Sequence, residues 1–145
     1  MSISRLETWV CPLPQDTEAS AAGLAAALKP GDVLLLNGPL GAGKTCFTRG
    51  LAVGLGLEPG KVLSPTFQLV RELRGGRLPL FHVDLYRLEG PDEVERLGLE
   101  EYFDADGVTV VEWPERLGRL RPSGCWRVRL ELLDDGARLV SVERP

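Results

Sequence analysis

Residues Leu34 to Thr45 read Leu-Leu-Leu-Asn-Gly-Pro-Leu-Gly-Ala-Gly-Lys-Thr, and this stretch decides the fold. It starts as an apolar run with the length of a buried strand, continues through three glycines within six residues, and ends where a helix-like segment begins. Gly38 to Thr45 satisfy every fixed position of the Walker A pattern Gly-x-x-x-x-Gly-Lys-Ser/Thr. We therefore predict a strand, a phosphate-binding loop and a helix, in that order.

Each residue of this loop suits a part of a nucleoside triphosphate. Gly38, Gly41 and Gly43 let backbone N–H groups turn toward phosphate oxygens, and the following helix directs its positive end at the same anion. The Lys44 ammonium reaches the β and γ phosphates, and the Thr45 hydroxyl can bind Mg²⁺. A glycine-rich turn that only joins a strand to a helix is the alternative. One of the chain's three lysines stands at the position that the pattern requires, and we therefore favour nucleotide binding.

The composition is that of a globular protein, with 43% hydrophobic and 26% charged residues. A chain of 145 residues is most economically one domain, here residues 1–145. Its apolar runs are too short to span a bilayer, and the N-terminus lacks a secretory pattern, so we expect a cytoplasmic protein without a membrane partner. Cys11, Cys46 and Cys125 show no Cys-x-x-Cys spacing and only one histidine accompanies them, which argues against zinc and against disulfides.

The charge balance argues against a protein that binds nucleic acid over its whole surface, because the net charge is −4 and the isoelectric point is near 5.1. Eight acids and only Arg96 lie between Glu89 and Asp106, whereas seven arginines and four acids lie from Arg116 onward. A solvated acidic helix face and an arginine-bearing hairpin explain most of this pattern. Docking surfaces for other macromolecules are the alternative.

Periodicity and turn residues predict an α/β fold. A three-layer fold of the P-loop NTPase type is expected, with a mixed, mainly parallel sheet, antiparallel hairpins, and helices on both faces. The predicted strands are Thr8–Leu13, Val33–Asn37, Phe67–Leu73, Leu78–Asp84, Val108–Val111, Trp126–Leu132 and Ala137–Glu143. The first two predicted helices run from Asp16 or Thr17 to Leu28 and over Lys44–Gly54. A third covers Asp92–Leu97 with a continuation at Glu100–Phe103, and a short one runs from Pro114 toward Leu120.

Two predicted strands end in a carboxylate, which is where a nucleotide-binding sheet places the acid that serves Mg²⁺. Asp84 ends the run Phe-His-Val-Asp, and Glu112 follows the β-branched run from Val108 to Val111. The spacing alone does not rank the two. Both together suit a metal ligand and a partner that orients water.

Three further side chains are candidates for this site, each with a structural alternative. Thr66, in Ser64-Pro65-Thr66, suits a loop that closes over the γ-phosphate, although a plain turn around Pro65 explains it as well. His82 shares a strand face with Asp84 and suits a general base, but hydrogen-bonded structural histidines are more common, and we favour that role. Trp113 suits stacking on the base, bracing of the carboxylate, or core packing.

The absent motifs narrow the activity. There is no Asn-Lys-x-Asp motif for guanine and no obvious lid segment for a second small substrate. We therefore expect hydrolysis or sensing of ATP.

Four blocks of the chain together resemble the TsaE (YjeE) family. They are the Walker A pattern, Ser64-Pro65-Thr66-Phe67, His82-Val83-Asp84-Leu85-Tyr86-Arg87-Leu88, and Glu112-Trp113-Pro114-Glu115-Arg116. Their order and spacing hold over nearly the whole chain, and the last two blocks are far more specific than the Walker pattern.

The resemblance implies an ATPase, with ATP and Mg²⁺ as ligands, that is needed for threonylcarbamoyl modification of the adenosine beside the anticodon. It implies binding to the proteins TsaD and TsaB, with tRNA contacted indirectly, and weak activity alone that rises with these partners. By position, Lys44, Asp84 and Glu112 are the implied catalytic residues, and Thr45 and Glu112 the metal ligands. The implied nucleotide contacts are Gly38, Gly41, Ala42, Gly43, Lys44, Thr45, Cys46, Thr66 and Trp113.

Two other functions fit the same loop. One is a stand-alone small-molecule kinase, which would phosphorylate a metabolite rapidly without partners. The other is a nucleotide-gated adaptor, for which binding of ATP matters and hydrolysis is incidental.

Overall fold

The computed structural model describes residues 6–62 and 69–145. The strands are β1 (Leu6–Cys11), β2 (Val33–Asn37), β3 (Val70–Leu73), β4 (Leu80–Asp84), β5 (Val108–Glu112), β6 (Trp126–Leu132) and β7 (Arg138–Glu143). The α-helices are α1 (Pro14–Ala25), α2 (Lys44–Gly54), α3 (Pro91–Glu95) and α4 (Leu99–Phe103), and two 3₁₀ segments cover Pro59–Lys61 and Pro114–Leu120. Within these residues no helix is long and apolar enough to cross a membrane.

One sheet of seven strands carries the fold, in the order β1-β7-β6-β2-β5-β4-β3. The four central strands β6, β2, β5 and β4 run parallel to one another. Antiparallel pairs flank them: β3 on β4 at one edge, and β7 with β1 at the other. The prediction of a mixed, mainly parallel sheet with antiparallel hairpins is confirmed.

Helices cover both faces at the centre of the sheet, because β2 carries buried apolar side chains on both sides. Successive side chains of β2 point to opposite faces. Leu34 and Leu36 join a buried cluster with α1 and α2, whereas Val33 and Leu35 join a second cluster with α3, α4 and the segment Pro114–Leu120. The three-layer arrangement thus follows from β2, whose apolar side chains point to both faces, whereas β6 alternates buried side chains with the exposed Arg127 and Arg129.

Helices α1 and α2 pack unusually closely, and small residues make this possible. A Cβ atom added to Gly50 would lie 2.3 Å from the Glu18 carbonyl oxygen, and one added to Gly54 would lie 2.5 Å from that of Ala22. The backbones therefore meet at these two glycines. This contact fixes α2, and with it the loop that precedes α2, relative to the rest of the layer.

Most predicted elements are found within a few residues of their predicted bounds, and two differences have local causes. Helix α1 starts at Pro14, since proline suits the first helical turn, and ends at Ala25 rather than Leu28. The connection between β3 and β4 is longer than a tight turn because Gly76 packs against α2, where the Arg77 N–H donates to the Leu55 carbonyl at 2.7 Å. The predicted strand start at Phe67 lies outside the described residues.

Candidate nucleotide-binding site

The loop between β2 and α2 has the backbone that a phosphate cradle needs. Gly43, the residue before α2, has φ +100°, and Gly41 has φ +80°, a region that L side chains rarely adopt. Helix α2 has no side-chain hydrogen-bond cap at Gly43 and no acidic residue in its first turn. Its 11 residues therefore present N–H groups and the positive end of the helix dipole to an anion.

The Lys44 ammonium lies at the mouth of this loop without a hydrogen-bond partner. The residue is 6% exposed, and within the described residues its Nζ has none. The Nζ lies 3.9 Å from the centroid of the Trp113 ring, which is a cation–π contact. Burial lowers the pKa of Lys44, and the nearby acids Glu112, Asp84 and Glu115 raise it by a smaller amount. A buried, unpaired ammonium suits a site whose ligand is anionic.

Asp84 and Glu112 end neighbouring parallel strands at the same level of the sheet. They are register partners across β4 and β5, and Leu36 of β2 is level with Glu112 from the other side. The Asp84 carboxylate accepts the Tyr86 N–H at 2.9 Å. Burial, with a contribution from Glu112, raises the pKa of Asp84. Glu112 therefore lies directly beside the end of the strand that leads into the loop, and Asp84 lies one strand further along the sheet.

His82 contacts Glu112 rather than the loop. Its Nε2 lies 2.5 Å from Glu112 Oε2, and the two side chains are 0% and 5% exposed. Strand alternation does place His82 and Asp84 on one face, as expected. The hydrogen-bonded role that the sequence favoured for His82 agrees with this geometry.

Trp113 lies between the site and the second apolar cluster. Its backbone is left-handed, with φ 58° and ψ 52°, and within the described residues it is the one non-glycine residue with positive φ. Its ring packs on Tyr86 with centroids 4.9 Å apart, and it also packs against the second buried cluster. The unusual turn after Glu112 is what brings this ring over Lys44.

These residues surround one cavity of about 550 Å³. Its lining includes six predicted site residues besides Lys44 and Trp113: Gly41, Gly43, Thr45, Cys46, Asp84 and Glu112. A smaller adjoining space of about 460 Å³ is lined by Gly38 together with Lys44 and Trp113. The phosphate loop, the metal candidates and the tryptophan thus share one region.

Two of the predicted residues, Ala42 and Cys46, make other contacts within the described part of the chain. Ala42 is fully buried and its N–H donates to the Pro39 carbonyl at 3.2 Å. The Cys46 thiol lines the cavity but donates to the Pro14 carbonyl of α1 at 3.2 Å. Thr66 lies outside the described residues.

The cavity also has lining residues that sequence reasoning missed, namely Leu40, Arg49, Tyr86 and Arg87. Tyr86 and Arg87 lie two and three residues after Asp84, and closeness in sequence to an acid at a strand end was the signal that could have identified them. Arg49 follows from helical spacing, since it lies about one turn after Thr45 on α2. A separate cleft of about 600 Å³ between α3 and the segment Pro114–Leu120 is lined, among the described residues, by none of the predicted site residues.

The residues present fit a nucleotide with Mg²⁺. Lys44 offers an unpaired buried cation, the start of α2 offers N–H groups, and the Thr45 hydroxyl and the Glu112 carboxylate border the same cavity. Mg²⁺ prefers oxygen ligands and takes only one or two from the protein when phosphates supply others.

Comparisons with known proteins agree on one family. The family model described as "Threonylcarbamoyl adenosine biosynthesis protein TsaE" matches residues 11–140. The tRNA threonylcarbamoyladenosine biosynthesis protein TsaE of Bacillus subtilis (strain 168) is 45% identical over 133 residues, which are 92% of this chain and 82% of that one. The protein of the same name from Treponema pallidum (strain Nichols) is 40% identical over 128 residues, or 88% and 93% of the two chains.

A solved structure shows the same fold. The crystal structure of Bacillus subtilis YdiB superposes with a TM-score of 0.81 at 35% identity, and the match covers 99% of this chain and 88% of that one. The resemblance first observed in four sequence blocks is therefore confirmed over nearly the full length. The chain belongs to the TsaE family, which acts in tRNA threonylcarbamoyladenosine biosynthesis.

Proposed function

We propose that this protein is a Mg²⁺-dependent ATPase that assists the TsaD–TsaB complex in threonylcarbamoylation of tRNA. The observation that supports this most is the buried Lys44 ammonium, which has no hydrogen-bond partner in the described residues and faces the cavity that Asp84 and Glu112 also line. A buried ammonium without a hydrogen-bond partner is costly, and a phosphate ligand would supply the acceptors that it lacks. Since tRNA modification is a cytoplasmic process, we place the protein in the cytoplasm.

In this proposal the loop and the helix end hold the phosphates. The N–H groups around Gly41 and Gly43 would bind phosphate oxygens, and Lys44 would bind the β and γ groups. The Thr45 hydroxyl and the Glu112 carboxylate would hold Mg²⁺, which neutralises charge on the phosphate oxygens when it is bound. Because these groups are fixed by β2, β5 and α2, little reorganisation is needed when the nucleotide binds.

Asp84 is then the group that assists hydrolysis. It lies in register with Glu112, and the Tyr86 N–H fixes one of its oxygens. A carboxylate whose pKa burial raises is a better proton acceptor than an ordinary one, which suits a residue that orients or deprotonates water. Thr66 remains a prediction for a loop that responds to the nucleotide.

The test is reconstitution of tRNA modification from purified components, with and without this chain. The proposal expects slow ATP hydrolysis by the chain alone, faster hydrolysis with TsaD and TsaB, and loss of both hydrolysis and modification in Glu112→Ala. If Lys44→Ala abolishes modification but a Glu112→Ala protein that still binds ATP supports it, the protein is a nucleotide-gated adaptor. Rapid phosphorylation of a metabolite by the chain alone would instead identify a small-molecule kinase.

A further inference from the structure

The contact between His82 and Glu112 joins a residue outside the cavity to a residue that lines it. His82 lies on β4 two residues before Asp84, and Glu112 ends β5. Asp84 and Glu112 are register partners at the ends of their strands. His82 lies two residues before Asp84, so its side chain is on the same face of the sheet and further from the strand ends. Its Nε2 reaches back to Glu112 Oε2 at 2.5 Å.

Among the described residues His82 does not border the cavity, so any effect of its ring on the site passes through Glu112. The described residues that line the cavity include Asp84 and Glu112 but not His82. The histidine ring is 0% exposed, so a water or a nucleotide in the cavity would meet the carboxylate and not the ring. This geometry excludes His82 as a general base in direct contact with the attacking water.

The hydrogen bonds of His82 are incomplete in a way that core packing does not explain. Within the described residues its Nδ1 is buried and has no partner. Buried polar groups are normally satisfied, and an apolar side chain of similar size would fill the same space without this cost. The one bond that the ring does make goes to the carboxylate with the proposed metal role.

We propose that His82 is a positioning residue for the metal-binding carboxylate: its Nε2–H holds Oε2 of Glu112 and thereby fixes the orientation in which Glu112 meets Mg²⁺. This inference rests on the proposed function, in which Glu112 is a metal ligand. Hydrogen bonds to a ligating carboxylate fix its orientation, and loss of such a partner commonly weakens metal affinity about 10- to 100-fold.

Two amide variants separate positioning from packing. The amide nitrogen of His82→Gln can reach the place of Nε2, whereas that of His82→Asn ends near the place of Nδ1. We expect His82→Asn and His82→Leu to weaken the Mg²⁺-dependent part of ATP binding by about tenfold or more. ATP affinity measured in EDTA should stay unchanged, and His82→Gln should restore most of the Mg²⁺ effect.

Thr109→Val is the matched control. Thr109 is also fully buried, on the neighbouring strand β5, and among the described residues its hydroxyl has one hydrogen bond, to the Tyr102 carbonyl at 3.4 Å on the opposite face of the sheet. Its replacement removes a hydrogen bond from the strand that carries Glu112, so it should lower the melting temperature while leaving the Mg²⁺ effect intact. If Thr109→Val weakens the Mg²⁺ effect as much as His82→Asn does, positioning is refuted.

The unsubstituted protein provides a readout that needs neither hydrolysis nor folding of a variant. The chain has one histidine, so the imidazole region of its ¹H–¹⁵N spectrum contains one ring system. We expect a proton on Nε2 that exchanges slowly with water and shifts when Mg²⁺–ATP binds. A proton on Nδ1 alone would refute the proposal, since Nε2 then could not donate to Glu112.

Failure of this inference and failure of the proposed function are distinguishable. If the chain binds Mg²⁺–ATP but never hydrolyses it, the ATPase proposal fails while the Mg²⁺ titrations still test His82. If the chain hydrolyses ATP and His82→Leu binds Mg²⁺–ATP like the unsubstituted protein, only the positioning role fails.

Discussion

Lys44 shows how a residue can oppose folding and still suit the binding of an anion. Its ammonium is buried, lacks a hydrogen-bond partner among the described residues, and has a pKa that burial lowers. A lowered lysine pKa means that the folded chain binds this proton less tightly than the unfolded chain, so the charge costs stability at neutral pH. The stacked Trp113 ring offsets only part of that cost.

Replacement of Lys44 by methionine should therefore separate stability from binding. Methionine keeps the apolar stem and removes the charge, so we expect the nucleotide-free Lys44→Met protein to melt at or above the temperature of the unsubstituted one. Its affinity for ATP should fall about 10- to 100-fold, because a hydrogen bond to a charged group contributes about 1.5–3 kcal/mol. Thermal melts without nucleotide and titration with a fluorescent ATP analogue measure the two effects. A lower melting temperature would show that the ammonium stabilises the free protein.

The raised pKa of Asp84 predicts the direction in which the stability of the protein changes with pH. Burial raises the pKa of Asp84 above its ordinary value, so the folded chain holds this proton more tightly than the unfolded chain. Ionised Asp84 therefore costs stability at neutral pH, and this cost fades as the pH falls through the raised pKa. Asp84→Asn keeps an acceptor for the Tyr86 N–H and removes the charge.

We expect nucleotide-free Asp84→Asn to be more stable than the unsubstituted protein at pH 7, and the difference to shrink as the pH is lowered toward the raised pKa. Because both proteins share every other titrating group, the difference between their unfolding free energies isolates Asp84. Urea unfolding at several pH values measures it. A difference that stays constant with pH, or that grows as the pH falls, would contradict the assigned shift.

At the level of elements, the contact between α1 and α2 is the feature on which the position of the phosphate loop depends. Alanine at Gly50 would place a methyl group 2.3 Å from the Glu18 carbonyl oxygen and 2.7 Å from the Ala21 Cβ. Overpacking of this kind costs about 1–3 kcal/mol, which outweighs the gain in helix propensity of about 1 kcal/mol. We expect Gly50→Ala to lower the free energy of unfolding and to weaken ATP binding, since α2 must shift.

Gly23 provides the control within the same helix pair. It lies on the exposed side of α1, and a Cβ there meets nothing within 4 Å. Gly23→Ala should therefore stabilise the protein by about 0.5–1 kcal/mol through helix propensity alone, without an effect on ATP binding. Urea unfolding of the two variants tests this directly. If both substitutions stabilise, the helices do not depend on the close approach at Gly50.

The elements also show which parts of the structure were predictable from sequence. The bounds of β2 and α2 were predicted correctly because strand, glycine loop and helix follow each other within one local pattern. The placement of β6 beside β2 was not predictable, since local periodicity carries no information on strand order. The His82–Glu112 contact was missed for the same reason: it depends on the register of β4 and β5, which are 30 residues apart at these positions.

On the scale of the whole molecule, two features bear on whether the isolated chain can bind tRNA. They are the net charge of −4 and the contacts that the arginines make within the described residues. Nucleic-acid binding depends on cations that are available to phosphates. Five of the seven arginines from Arg116 onward have a partner within the protein: Arg116, Arg119, Arg129, Arg138 and Arg144. Arg119 and Arg129 lie beside the carboxylates of Glu95 and Glu131, which offset part of the local positive charge, whereas the contacts of the other three arginines leave their charge in place. The net negative charge therefore argues more strongly than these contacts against tight RNA binding by the chain alone. That the chain forms one domain stays a prediction.

We therefore expect the isolated protein to show no tight tRNA binding at about 0.15 M salt, and the TsaD–TsaB complex to supply the RNA contacts. Fluorescence anisotropy of labelled tRNA, titrated first with the chain alone and then with the assembled complex, measures both. Weak binding that appears only at low salt would be the nonspecific attraction of a few arginines, and it should not depend on nucleotide. Tight binding by the chain alone at physiological salt would contradict the indirect role, because a surface with this balance of charge and internal pairing then would have to bind RNA by itself.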